Sequence, residues 1–496
     1  MQQFINFAGT KSKLMRFLIV LSLFFGLFSC TENSGSGNPA AVSTGQSNAE
    51  APDITVQVAG AAQDWMYIIG TYTDQQYKLD SARIDATGTA HFKQNAPYQQ
   101  GFVYFMVQDK FSIQALISED QTFSLTTNLN NIVGDMVVKG SIDNELYYRN
   151  AVFESEQRPV FNTLNSQLQG YIEGSVEYTR NKEALAKLLE ERKAHLKDIF
   201  TSYPNSFFVS FKKAGQNPDV QEIRLPDGSL DRQSQVYNYR TQFWDDVDFT
   251  DERLIYTPVI SNKLKRYIDE LTPQNPDSIM YSADYLMSMV PEKSEYYKYF
   301  ANWIVTHYDP KESTLMDPQA VFTNMVEQYF TYDKAFWADS ATVFSLQQRA
   351  YEMSASLVGK KGPNVEAANP NGKAQSIYAM DAPYIIVYMY TPSCEHCAVE
   401  TPKLVEFYKQ WHPKGVDVFG IAVDTEHQEW VDYIAKNKMP WVNNVFDPTN
   451  KAIYAKYFVD VTPEIYVLNP ERIIIAKNLK VEQIATMIER DMASRK

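Results

Sequence analysis

Cys394 and Cys397 place two soft nucleophiles three residues apart in a chain that holds only three cysteines. Such a Cys-x-x-Cys pair can carry thiol–disulfide exchange or form half of a zinc site. The apolar run Tyr384-Ile385-Ile386-Val387-Tyr388-Met389-Tyr390 predicts a buried strand just before it. Just after it, Leu404, Phe407, Tyr408 and Trp411 recur at helical spacing. The pair therefore sits where a strand feeds a helix. Free N–H groups and partial positive charge at a helix N-terminus stabilise a thiolate on Cys394, and Cys397 is near enough to close a disulfide with it. A zinc site needs two further soft ligands. Outside the pair stands only Cys30, and His412 and His427 lack the spacing of a second half-site. The reading is a redox pair without metal or cofactor.

Further positions carry a resemblance. Glu400 lies three residues past Cys397 and Pro402 five past it, and Val461-Thr462-Pro463-Glu464 precedes the strand-like Ile465-Tyr466-Val467-Leu468. Val416 to Asp424 predicts another strand, Glu429 to Lys436 a helix, Asn469 to Arg472 a turn and Ile473 to Ala476 a last strand. With this order of elements, residues 359–496 resemble a thioredoxin-fold domain of the TlpA-like class of extracytoplasmic thiol–disulfide oxidoreductases. The resemblance implies that Cys394 attacks and Cys397 resolves. It also implies that Glu400 lies beneath the pair and relays the proton at Cys397, and that Thr462 and a cis Pro463 hold the substrate backbone. A copper-binding variant of that fold wants a histidine far beyond the cysteines, and none follows His427. The chain departs from the pattern at Ser393, where many relatives have tryptophan. Between the cysteines, His396 tunes the couple toward oxidising and Glu395 the other way.

A length of 496 residues suggests about three domains. A net charge of −14 leaves no basic excess for phosphates and argues against nucleic acid. Lys11, Lys13 and Arg16 precede an apolar stretch, Phe17 to Phe28, that is short for a membrane span. It ends in Leu27-Phe28-Ser29-Cys30, which resembles a bacterial lipobox, so residues 1–30 read as a lipoprotein signal with Cys30 as the lipidated residue. Residues 31–52, rich in Ser, Gly, Asn and Ala, read as a flexible tether. The resemblance places the protein in the envelope of a Gram-negative-type bacterium, lipid-anchored, with the outer membrane favoured because Thr31 follows the cysteine.

Residues 53–143 read as β-structure with strands at Ile54–Val58, Trp65–Tyr72, Gly101–Val107, Ser112–Ile117, Thr122–Thr126 and Val137–Ser141. They resemble the small β-sandwich found ahead of such domains. Residues 144–358 turn to helical periodicity, with helices at 181–200 (Asn181 as N-cap), 258–271, 296–308, 318–330 and 342–357. Thr257 and Asp317, each before a proline, are start signals. The acids Asp245, Asp246, Asp248, Asp251 and Glu252 lack the ligand spacing of a calcium loop and read as a solvated turn. Trp244, Trp303 and Trp337 read as core anchors, and His195 and His307 as structural. Lys360 to Lys373 reads as a linker, followed by a short opening strand at Ala374–Tyr378.

The expected fold is multidomain: an N-terminal small β-sandwich, an α-helical middle domain and a C-terminal α/β thioredoxin fold. The expected function is a thiol–disulfide oxidoreductase, foremost a disulfide reductase for cysteine-containing exported proteins, recharged by an upstream redox partner. Oxidase or isomerase action is the alternative within the enzyme class, with thiol peroxidase behind them because its attacking cysteine belongs to a different loop. From another class, a binding lipoprotein with a regulatory redox pair also accommodates the long N-terminal part.

Overall fold

Along β1 (Asp53–Ala59) alternate residues Ile54, Val56 and Val58 are fully buried, so one face of the strand turns toward a core. The computed structural model that shows this describes residues 51–446, 448, 456–459 and 461–495. Cys30 and the proposed signal and tether, apart from its last residues, lie outside them. β1 pairs in parallel with β7 (Thr122–Asn128) and antiparallel with β4 (Thr89–Lys93), while β8 (Val137–Lys139) joins β7 at the edge.

A second, antiparallel sheet runs in the order β3 (Gln75–Arg83), β2 (Trp65–Tyr72), β5 (Gly101–Val107), β6 (Phe111–Ile117). Ile54, Val56 and Val58 meet Val103, Phe105 and Val107 between the two sheets. The other face of the second sheet is covered too, because Phe102 and Leu116 belong to the core of the helical region. Burial on both faces explains why β5 is almost wholly apolar. It also explains why β3, a polar edge strand, shows no strand signal in the sequence.

The helical region opens with α1 (Ile142–Gly170) and α2 (Val176–Ser202), which pack on each other. α1 buries residues only between Asp143 and Asn150, so it lacks the continuous apolar stripe that would mark its full length. The cap expected at Asn181 is a correction: Ser175 caps α2, and Asn181 lies inside it, buried, donating its amide to Gln167 Oε1 at 2.9 Å. α3 (Phe207–Ala214) and α4 (Arg232–Thr241) follow, then α5 (Pro258–Lys265), with the Thr257 hydroxyl accepting from the Val259 N–H. α6 (Pro276–Met289), α7 (Glu295–His307), α8 (Pro318–Tyr329) and α9 (Ser340–Ser354) complete the region. Trp244 lies in its core, and Trp303 and Trp337 pack against it. In the acidic run, Asp248 accepts from the Thr250 N–H and hydroxyl, and Asp251 grips Arg253 through both oxygens. His307 pairs with Asp269 at 2.9 Å and His195 stacks on Phe153.

The stretch from 360 to 373 is not a loose linker. Gly359 and Gly362 donate to the Ile474 and Arg472 carbonyls, and Lys360 accepts from the Ile474 N–H. β9 (Glu366–Ala368) and β10 (Ala374–Ser376) then form a separate hairpin, so the expected opening strand does not join the main sheet. That sheet contains β11 (Tyr384–Tyr390), β12 (Val416–Ala422) and β13 (Asn443–Phe446) in parallel. β14 (Glu464–Leu468) and β15 (Ile474–Lys477) run antiparallel on the far side of β11, giving the order β13-β12-β11-β14-β15. The helices α10 (Glu395–Trp411), α11 (His427–Asn437) and α12 (Val481–Ser494) cover it. The chain is thus a β-sandwich, a helical region and an α/β thioredoxin-like fold. Among the described residues no helix is long and apolar enough to cross a membrane.

Asn144 joins the first two parts. Its side-chain amide donates to the Leu116 carbonyl and accepts from the Leu116 N–H, each at 2.8 Å, in a fully buried position. Asn144→Ala leaves both backbone groups unpaired, and equilibrium denaturation is expected to show a loss of about 2–4 kcal/mol.

Candidate active site

Every residue of β11 is buried, and its side chains alternate between two cores. Ile385, Val387 and Met389 enter one, while Tyr384, Ile386, Tyr388 and Tyr390 enter the other, beside Cys397. This central strand ends at Tyr390, and the turn that follows delivers Cys394 as the N-cap of α10. The Cys394 Sγ accepts from the Cys397 N–H at 3.5 Å, and its own thiol donates to the Thr462 carbonyl at 3.2 Å. Thr462 is joined to Pro463 by a cis peptide bond, and its hydroxyl donates to Thr391 Oγ1 at 3.3 Å. The structure holds the pair as free thiols, with Cys394 partly exposed and Cys397 at 0% exposure.

The two thiols are driven apart electrostatically. Burial would raise Cys394, but hydrogen bonds from the Cys397 backbone and thiol, from Thr462 and from the His396 backbone together hold it below the ordinary thiol value. Burial dominates at Cys397 and pushes it up to about 12. One sulfur is prepared to ionise at the surface and the other to keep its proton beneath it. That is the division of labour of an attacking and a resolving thiol.

Residues 358–484 match the AhpC/TSA family, and residues 53–147 match a domain of unknown function, DUF4369. The C-terminal domain belongs to the AhpC/TSA family. No curated protein matches the chain. Among solved structures, a domain of a "possible thiol-disulfide isomerase" from Cytophaga hutchinsonii is 31% identical, over 28% of this chain and 95% of that one, with a TM-score of 0.26. The thioredoxin domain of a thiol-disulfide oxidoreductase from Bacteroides vulgatus is 24% identical over 27% of this chain and 96% of that one, with a TM-score of 0.25. A thioredoxin-like protein from Bacteroides caccae is 18% identical over 55% of this chain and 99% of that one, with a TM-score of 0.44. The AhpC/TSA domain makes the chain a thioredoxin-like oxidoreductase.

Within this domain the structure gathers Cys394, Cys397, Thr462 and Pro463, and leaves three other expected residues outside the sulfur contacts. The side chains of Glu395 and His396 are exposed, and it is the His396 backbone that reaches Cys394. Glu400 spends its hydrogen bonds away from the sulfurs. Its carboxylate accepts from Lys403 at 2.7 Å and from the Val481 N–H at 3.1 Å, with no hydrogen bond to Cys397. The cause lies at the start of α12, where Lys480 in the capping position has no acceptor to offer and Glu400 satisfies the first N–H instead.

A hydroxyl cluster missed in the sequence adjoins Cys397 in its core. The Thr401 hydroxyl meets Tyr388 at 2.7 Å and Tyr433 at 2.8 Å, and Tyr390 accepts from Trp430 Nε1 at 3.1 Å. The ring of Tyr390 stacks between those of Tyr388 and Tyr433. Tyrosines at alternate positions of an otherwise aliphatic strand were the available signal, but partners on α10 and α11 emerge only with the fold.

The split between the thiols has two measurable consequences. In the reduced protein at neutral pH, iodoacetamide should modify Cys394 and spare Cys397, with the Cys394 rate titrating below the ordinary thiol range. Because Cys397 holds its proton in the folded state after an unfolded thiol has lost it near pH 8.5, stability should fall as pH rises from there toward about 12. Denaturation curves between about pH 8 and 9.5 should show that slope reduced in Cys397→Ala.

Proposed function

We propose that the protein is a disulfide reductase for exported proteins, working through the Cys394–Cys397 pair. The observation that carries the reading is the attacking sulfur placed between the first turn of α10 and the Thr462 carbonyl, with the resolving thiol buried behind it. Cys394, as thiolate, attacks one sulfur of a substrate disulfide, and the departing thiolate takes up the proton that Cys394 had released. Cys397 then attacks Cys394 in the mixed disulfide. The second substrate sulfur leaves as a thiol, carrying the proton that Cys397 gave up, and the Cys394–Cys397 disulfide remains. The two electrons gained by the substrate must be restored by an upstream dithiol partner.

Thr462 and Pro463 would line the substrate backbone, since Pro463 has no N–H to spend and the Thr462 carbonyl already faces Cys394. The reductive direction is supported by how the thiolate is held. The Cys397 N–H donates to the Cys394 sulfur, and no His396 side-chain hydrogen bond to it is present among the described residues. Without such a cation the couple lacks the added stabilisation of its reduced form that makes a strong oxidant. Lipid attachment through Cys30, with residues 31–52 as tether, would hold the enzyme at the envelope membrane, where exported substrates fold.

Redox titration should give a potential near or below about −250 mV; a value above roughly −180 mV would favour an oxidase or isomerase. Cys394→Ser should abolish insulin reduction, and Cys397→Ser should accumulate a mixed disulfide with substrate. A Cys397→Ser protein that traps no substrate at any redox poise would overturn the mechanism. Cys30→Ser should abolish incorporation of labelled palmitate and release the protein from membranes.

A further inference from the structure

The end of β15 carries a buried ionisable pair, in which burial pushes the Lys477 amine down and the Asp317 carboxyl up. Lys477 is 0% exposed, with Nζ 3.9 Å from the carboxylate of Asp317, itself 1% exposed at the start of α8. The ammonium donates to the Ser356 carbonyl at 3.1 Å and stands over the ring of Tyr466. Asp317 makes no side-chain cap for α8, and its Oδ2 accepts from the Val358 N–H at 2.7 Å. The next residue, Asn478, donates its side-chain amide to the Met316 carbonyl and to Gln319 Oε1, each at 3.0 Å. Its backbone N–H reaches Glu464 Oε1 at 3.1 Å. Glu464 directly follows the cis proline whose preceding carbonyl faces Cys394. On the other side of the same loop, Phe458 packs against the core of the helical region, near the guanidinium of Arg349.

An ionisable pair removed from water contributes little net stability compared with apolar packing of similar volume, but it tolerates few relative positions. A set of buried polar contacts that ends at the substrate-side loop suits holding it in register better than adding stability. We propose that the helical region is a positioning device for the redox site: Asp317 and Gln319 hold Lys477 and Asn478, and through Glu464 these keep Thr462 and Pro463 against the Cys394 sulfur. The proposal rests on the reading of Cys394 as the attacking thiol. It gives the helical region a role that neither the redox pair nor the fold of the AhpC/TSA domain alone requires.

The test uses the full chain with Gln319→Ala, Asn478→Gly and Asp317→Asn. Glycine is chosen at 478 because φ there is +53°. Two quantities are read in each variant: the pH midpoint of Cys394 alkylation, and KM and kcat for a peptide disulfide. Loosening the loop moves Thr462 relative to the sulfur, so the midpoint should shift from the wild-type value in Gln319→Ala and Asn478→Gly, where no charge is lost. KM should increase on the order of three- to thirtyfold with kcat less affected. Asp317→Asn also removes a negative charge, which by itself favours the thiolate, so that variant is judged on KM. Glu395 and His396 are untouched throughout. Unchanged midpoints and KM values in Gln319→Ala and Asn478→Gly, even with a lower melting temperature, would overturn the proposal and leave a purely structural contact. An unchanged KM in Asp317→Asn would also overturn it. If the wild type reduces no disulfide, the reductase reading fails separately, and the alkylation midpoints still decide the positioning role.

Discussion

The structure depends most on the hydrogen bond between the Cys397 N–H and the Cys394 sulfur at the start of α10. It requires a helix to begin at the cysteine, and hence a strand that stops just before it in a fixed direction. β11 meets that requirement because it is buried on both faces and bounded by β12 on one side and β14 on the other. Neither its register nor its direction can drift without exposing large side chains. From β14 comes the second half of the site, since the strand paired with β11 begins immediately after the cis Thr462–Pro463 bond. Two neighbouring strands thus bring together residues nearly seventy positions apart in the chain.

Glu400 bonds to groups other than the resolving thiol. A carboxylate at position 400 has two partners that compete for it, an exposed lysine and an uncapped helix N-terminus, and both are satisfied in the structure. Around Cys397 the core instead contains tyrosine and threonine hydroxyls that bond one another. Neutral hydroxyls in an apolar core do little to favour a thiolate, which accords with the high value of the Cys397 thiol. The same burial keeps the resolving sulfur from reacting with anything but its neighbour.

The parts ahead of the redox domain are joined to it and to one another by buried polar contacts as well as apolar packing. Asn144 ties the first long helix to β6, and Asp317 faces Lys477 across to the sheet of the AhpC/TSA domain. Such contacts need a specific geometry on both sides. They convert what could be a string of separate modules into one continuous body from the sandwich to the last helix.

Much of this was legible in the residues. The cysteine spacing, the apolar strand before it and the helical stripe after it were legible because strand and helix periods act over a few neighbouring residues, whereas the Thr-Pro pair was readable only through the resemblance. The alternation in β1 and the proline-led starts of α5 and α8 were legible for the same reason. Edge strands such as β3, and helices such as α1 that bury few residues, carry no periodic signal. Asn181 illustrates another limit: a residue type suited to capping was used inside a helix to reach Gln167. Where a side chain spends its hydrogen bonds depends on what the rest of the chain leaves unpaired. The residues alone therefore set the chemistry of the pair and the local elements that carry it. That Glu400 bonds a helix end, that tyrosines lie beside Cys397 and that Asp317 meets Lys477 emerged with the fold, because each depends on contacts between segments with no local signal in common.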